Sequence, residues 1–139
     1  MSVKQKILLV EDHEDTSELM VLILTQLNYE VATAASISVA LGMAEAADFD
    51  LFVLDSMLPD GSGTDLCRYL RQRNIAAPIL FYSAMAFEHD KHEALMAEAQ
   101  KYLVKPVDFE LFRRTVAEML NGATAGHYVD QSATFLTAS

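Results

Sequence analysis

Four short stretches of this 139-residue chain end in side chains that chemistry can use. Glu11-Asp12 follow Ile7-Leu8-Leu9-Val10, and Asp55 ends Leu51-Phe52-Val53-Leu54. Ser83-Ala84 close Ile79-Leu80-Phe81-Tyr82, and Lys105-Pro106 close Tyr102-Leu103-Val104. An ionised acid is seldom held beside a core without a partner, so Asp55 should have a cation, a metal or a reaction to serve. Three gathered carboxylates repel one another unless a cation joins them. Mg2+ is a hard cation that takes oxygen ligands from few carboxylates, several waters and a phosphate. Asp12 and Asp55 would be direct ligands, with Glu11 direct or through water. A carboxylate can also be a nucleophile and form an aspartyl phosphate, a transfer that asks mainly for positioning and charge neutralisation. Lys105 offers a compact positive charge, and the Ser83 hydroxyl and the Ala84 N–H can bond phosphoryl oxygens. Any one of these residues is ordinary, as an acid entering a turn or a lysine on a surface. The signal lies in four of them occupying the same position relative to an apolar run.

Those runs are the elements that must position the chemistry. A short apolar stretch bounded by turn residues suits a strand buried on both faces. Strands are predicted at 6–10, 29–34, 50–55, 79–82 and 101–104. Helical spacing predicts helices over 14–27, 36–46, 63–72, 88–99 and from Asp108 to about 121. Leu19, Ile23, Leu24 and Leu27 should face inward on the first helix, and Leu95, Met96 and Ala99 on the fourth. Asp15, Thr16 or Ser17 is a candidate cap for the first helix, Ser36 for the second and Asp108 for the last. Asn28 and Gly122 are candidate left-handed C-caps. Five strands separated by helices of about a dozen residues imply parallel pairing with right-handed crossovers. All the carboxyl ends then lie along one edge of the sheet, where open α/β sheets bind their ligands. Residues far apart in sequence can therefore converge there.

Composition narrows the function. Hydrophobic residues make up 52%, too many for a disordered chain, and no apolar run approaches the ~20 residues that span a bilayer. The net charge of −10 leaves no basic footprint for nucleic acid. Met1 to Val10 lacks the apolar length and cleavage site of a signal peptide. The single Cys67 reads as a small buried hydrophobe, and a reducing, cytoplasmic setting is the simplest one. The stretch 123–139 is small and polar with Tyr128, Val129, Phe135 and Leu136 scattered through it, too short for a second domain. Its residues do not decide between disorder and docking. The expected organisation is one domain over 1–122 and a short tail over 123–139, with no output domain.

The four blocks together resemble a response-regulator receiver domain, the phosphoacceptor half of two-component signalling. They are Val10-Glu11-Asp12, Leu54 to Gly63, Pro78 to Ala84, and Tyr102 to Pro106, within a match over about 4–121. The resemblance implies an α/β fold of flavodoxin-like (βα)5 type, a doubly wound parallel sheet with strand order 2-1-3-4-5. It implies that Asp55 is the phosphoacceptor and that Glu11, Asp12, Asp55 and the backbone carbonyl of Met57 hold Mg2+. Ser83, Ala84 and Lys105 would contact the phosphoryl group, with Ser83 and Tyr102 as switch residues. Tyr102 would swing inward when Ser83 is drawn to the phosphate. The Lys105-Pro106 bond is expected to be cis. The output surface would be the fourth helix, fifth strand and fifth helix, near 87–98, Tyr102 and 108–119. Partners would be a histidine kinase or a phosphotransfer protein and a downstream protein target, with no nucleic acid and no membrane. No enzymatic turnover is expected beyond phosphate uptake and self-dephosphorylation.

Several positions depart from that pattern. Glu98 stands where a Gly commonly ends the fourth helix, at a cost on the order of 1 kcal/mol if its backbone is left-handed. Ile37 replaces a common Gly and could expose an apolar side chain. Met57 and Met85, two residues past Asp55 and Ser83, flank the route of hydrolytic water. Thioethers do not orient a water, which predicts slow self-dephosphorylation. His89 and His92 with Asp90 have helical metal spacing but read as a solvated face, and His13 reads as exposed rather than as a ligand or phosphoacceptor.

Two other function classes compete. A pseudo-receiver interaction module typically lacks the acid pair, the phosphoacceptor or the lysine, all present here. A dehalogenase-like phosphatase needs a second Asp two residues after the nucleophile, and that position is Met57.

Overall fold

The computed structural model describes residues 4–106, 108–121 and, as backbone, 133–135. Gly122, Tyr128, Val129 and Leu136 lie outside the described residues. Five parallel strands, β1 (Lys6–Val10), β2 (Glu30–Ala34), β3 (Leu51–Leu54), β4 (Ile79–Ser83) and β5 (Lys101–Val104), alternate with five helices. The helices are α1 (Glu14–Gln26), α2 (Ile37–Ala46), α3 (Gly63–Gln72), α4 (Glu88–Met96) and α5 (Phe109–Asn121). The parallel strands run in the order 2-1-3-4-5, the expected flavodoxin-like arrangement. A two-residue hairpin, Met57–Leu58 against Gly61–Ser62, sits in the loop after β3. A further strand, β6 (Ala133–Phe135), pairs antiparallel along β5, with Thr134 opposite Tyr102. The backbone of that tail segment therefore docks on the sheet edge.

Alternation along each strand feeds two cores, which is why the strands read as unbroken apolar runs. Leu8, Val10, Phe52, Leu54 and Phe81 point to the side covered by α2, α3 and α4. Ile7, Leu9, Leu51, Val53 and Leu80 point to the side covered by α1 and α5, among Met20, Ile23, Leu24, Phe112 and Val116. Burying one such Leu stabilises the fold by about 2 kcal/mol.

Three inward assignments, Leu19, Leu27 and Met96, are overturned. Leu19 and Leu27 are exposed, and Met20 takes the inward place on α1. Met96 is also exposed, because α4 approaches the sheet through the small residues Ala94 and Ala97. The N-cap of α1 is His13, so Asp15, Thr16 and Ser17 lie inside the helix and do not cap it. Ser36 does cap α2, accepting from Val39 N at 3.2 Å. Asp108 caps α5, accepting from Leu111 N at 2.7 Å. Ile37 is buried, not exposed. Its N–H and that of Ser38 donate to the Asp60 carboxylate at 2.8 and 3.0 Å, so the loop after β3 caps the start of α2.

Glu98 has φ 72°, as do Asn28 (70°) and Asn74 (61°) in the same left-handed region. Asn tolerates that region, whereas Glu pays a steric penalty. Its carbonyl accepts from Arg71 Nε at 3.1 Å and Nη2 at 2.8 Å, which holds the strained turn in place. Glu98→Gly relieves the strain without touching that clamp. It should raise the unfolding free energy by about 1 kcal/mol in urea titrations, whereas Glu98→Val should lower it.

Candidate functional site

The register of the sheet builds the site. Val10 pairs with Leu54, so Glu11 and Asp55 are the next residues of adjacent strands. Ser83 pairs with Val104, so Lys105 follows one step beyond. Backbone hydrogen bonds continue the ladder past the strand ends: Asp55 N to Val10 O at 3.0 Å and Lys105 N to Ser83 O at 2.8 Å. The turn after Asp55 needs Gly63, because a Cβ there would run into the Asp55 carbonyl oxygen. The Lys105-Pro106 bond is cis, as expected.

The side chains meet at that edge. Lys105 Nζ lies 2.8 Å from Glu11 Oε1 and 3.6 Å from Asp55 Oδ2. It also sits 5.2 Å from the centre of the Tyr82 ring. Glu11 and Asp55 are buried, Asp12 is partly open to solvent, and Ser56 N donates to Asp55 Oδ1 at 2.7 Å. Asp12, Asp55, Met57, Ser83, Met85 and Lys105 are among the residues lining a cavity of about 300 Å³. Met57 is well exposed at its mouth.

Electrostatics divide the two buried acids. Burial raises the Asp55 pKa above the usual carboxylate range, and the Glu11 charge adds to that, while Lys105 works against it. Burial also opposes ionisation of Glu11, but the Lys105 hydrogen bond and charge, with the His13 contacts, bring its pKa below the ordinary value. For Lys105, burial disfavours the ammonium, yet Glu11 and Asp55 outweigh it and raise the pKa. The site is therefore a tight Glu11–Lys105 pair beside an Asp55 carboxylate whose charge is poorly neutralised. A divalent cation suits this set: Glu11, Asp12, His13 and Asp55 each place one donor atom within 4.8 Å of the others, the one such group among the described residues. By contrast His89 and His92 form no such cluster, in line with a solvated face; His89 Nε2 meets Asp90 Oδ1 at 3.3 Å.

Ser83 is fully buried, and its Oγ accepts from Met85 N at 3.0 Å. Tyr102 is inward and buried, stacked on Phe81 with ring centres 5.5 Å apart. Its hydroxyl donates to Met85 O at 2.7 Å and meets Ser56 Oγ at 3.1 Å. Ser56 is the residue that sequence reasoning missed: its N–H bonds Asp55 and its Oγ meets the Tyr102 hydroxyl, and only its adjacency to Asp55 hinted at it. His13 is exposed as expected, at 74%, yet its ring turns back onto the acids. Ala84 is exposed at the end of β4. Cys67 is buried, donates to Ala97 O at 2.9 Å, and burial pushes its thiol up to about 11, which fits a structural role.

The Lys105 ammonium faces two buried carboxylates, so its removal should be costly. Lys105→Ala is expected to destabilise the fold by about 2 kcal/mol at pH 7, discounted for partial exposure. The lowered Glu11 pKa gives stability that is present above its unfolded value and lost as pH falls through the folded one. The raised Asp55 pKa has the opposite sign: it marks a penalty at neutral pH that loss of Lys105 enlarges and that protonation relieves as pH falls. The deficit between variant and wild type should therefore shrink below about pH 4 in urea titrations across pH.

Comparison with known proteins places this geometry in a group. Residues 7–117 match the family model described as "Response regulator receiver domain". The response regulator protein PilR of Pseudomonas aeruginosa is 35% identical over 117 residues, covering 84% of this chain and 26% of its own. The transcriptional regulatory protein CusR of Escherichia coli is 37% identical over 119 residues, covering 85% and 52%. The chain thus spans between about a quarter and about half of the length of these relatives. A CheY-like receiver domain protein from Methanospirillum hungatei has a similar structure, with TM-score 0.83 and 27% identity over 86% of this chain and 96% of that one.

Proposed function

The chain belongs to the response-regulator receiver domain family, and from that membership we propose that it is a phosphorylatable switch with Asp55 as phosphoacceptor. The observation that carries the reading is the meeting of Lys105 Nζ with both Glu11 Oε1 (2.8 Å) and Asp55 Oδ2 (3.6 Å) at the carboxyl edge of the sheet. In the reaction an Asp55 carboxylate oxygen attacks phosphorus of a phosphohistidine on a kinase or phosphotransfer protein. The P–N bond breaks, the acyl phosphate P–O bond forms, and the leaving imidazole takes a proton. Burial and Glu11 hold the carboxylate poorly neutralised, which leaves it ready to share charge with an arriving phosphoryl group. Glu11, Asp12, Asp55 and the Met57 carbonyl would hold Mg2+, which when bound neutralises phosphoryl charge. Lys105 stabilises the phosphoryl oxygens from the other side, and Ser83 Oγ and Ala84 N–H bond those that remain.

Transmission follows from the hydrogen bonds around Ser83. Drawing Ser83 Oγ to the phosphate removes the acceptor of Met85 N, and Met85 O holds the Tyr102 hydroxyl. The switch thereby reaches β5 and the face formed with α4 and α5, where partners would read it. We propose that the protein acts as a switch in the cytoplasm, binding partners rather than turning over a substrate, with residues 1–122 as the receiver domain. No helix of the described residues is long and apolar enough to cross a membrane.

Intact mass after incubation with Mg2+ and acetyl phosphate tests the reading. One added phosphoryl group is expected, and it should be absent in Asp55→Asn. No gain would mark a pseudo-receiver, and many phosphates released per chain a hydrolase. The thioethers of Met57 and Met85 flank the cavity and orient no water. The acyl phosphate of the purified protein should therefore last minutes or longer, and Met57→Asn should shorten it several-fold. A lifetime of seconds in the wild type would count against that role.

A further inference from the structure

We propose that His13 is a metal ligand of this site, so that the nest takes nitrogen-seeking divalent cations, Ni2+ and Zn2+ among them, more tightly than carboxylates alone would. The proposal rests on the reading that Glu11, Asp12 and Asp55 hold a divalent cation. Its own content is the nitrogen donor.

The ring is turned into the nest. His13 Nδ1 lies 3.2 Å from Glu11 Oε2 and 3.5 Å from Asp12 Oδ1. One donor atom each from Glu11, Asp12, His13 and Asp55 falls within 4.8 Å of the other three. Atoms bound to one small cation at about 2.1 Å lie at most about 4.2 Å apart. A shift of under about one ångström therefore closes the set. The backbone is already fixed for it. His13 is the N-cap residue of α1 with φ −81° and ψ 114°. Its N–H donates to Glu11 Oε2 at 3.1 Å and its carbonyl accepts from Ser17 N at 2.9 Å. Only the two side-chain torsions remain free. As found, the Nδ1–H donates to Glu11 Oε2 at 3.2 Å; a bound cation would take the place of that proton, the ring hydrogen being carried instead on the solvent-facing Nε2.

The choice of cation follows from donor softness. Mg2+ is a hard ion served by carboxylates, carbonyls and water and gains little from imidazole. Imidazole suits Zn2+ and Ni2+, whose affinities also rise along the Irving–Williams order. His13 should therefore separate the two kinds of ion instead of strengthening all of them.

Isothermal titration of the full chain with MgCl2 and with NiCl2 tests this, using wild type, His13→Ala and, as a surface-histidine control, His92→Ala. His13→Ala should weaken Ni2+ by at least about tenfold while changing Mg2+ by less than roughly twofold. His92→Ala should change neither at the tightest site. With Mn2+ bound, pulsed electron paramagnetic resonance should show a nitrogen coupling that His13→Ala removes. Unchanged Ni2+ affinity in His13→Ala, or an equal loss for both ions, would overturn the ligand role; an equal loss means that His13 only positions the acids. Failure of the wild type to bind Mg2+ at all would overturn the acid nest itself, an outcome distinct from either.

Discussion

One ammonium shared by two buried carboxylates is the constraint on which the rest of the structure depends. Glu11 and Asp55 are both buried, and Lys105 lies within 3.6 Å of each. Burying charge without a partner costs several kcal/mol, so neither acid could sit there unless the fold delivered Lys105 to the same place. Nothing local delivers it: Glu11 and Lys105 are 94 residues apart. The delivery is made by register, with β1 paired to β3, β3 to β4 and β4 to β5, all running the same way. A slip of one residue in any of these pairs would turn the apolar residues to the wrong face and remove the counter-charge at once. The core and the site therefore enforce each other.

The balance is left incomplete on purpose-built terms. The Glu11–Lys105 contact is short and shifts both groups toward their charged forms, while Asp55 is pushed the other way. A second positive charge or a phosphoryl group that brings its own cation would complete the neutralisation. Around this the hydrogen bonds are fully made: among the described residues no buried side-chain nitrogen or oxygen lacks a partner. Met85 is the joint, since its N–H bonds Ser83 and its carbonyl bonds Tyr102. Through these two bonds Ser83 is connected to Tyr102 on β5, whose outer edge carries β6.

How much of this was legible in the sequence depends on the range of the interactions involved. The strands were legible because burial on both faces leaves unbroken runs such as Leu51-Phe52-Val53-Leu54. The strand order and the gathering of Glu11, Asp55, Ser83 and Lys105 followed once parallel pairing was inferred. The inward faces of α1 and α4 were less legible. A periodicity of 3.6 fixes a stripe only to within about one residue, and neighbouring Leu19 and Met20, or Met96 and Ala97, compete for it. The caps by His13 and by Asp60 were not legible at all. His13 offers only its backbone, and Asp60 bonds an element more than twenty residues away. The turn of the His13 ring toward the acids depends on two torsions that no spacing encodes.

The departures beside the connections bear on how the fold tolerates change. Ile37 opens α2 and Glu98 follows α4, and each is held by a contact from another element: Asp60 for Ile37 and Arg71 for Glu98. The groups of the candidate site lie instead at the ends of strands, where ladder hydrogen bonds continue through Glu11, Asp55 and Lys105 themselves. A connection can therefore be remodelled at a cost near 1 kcal/mol without moving the chemistry. Displacing a strand end would require breaking the sheet. That difference in stiffness is why the site can be read from four short blocks while the loops beside it must be seen.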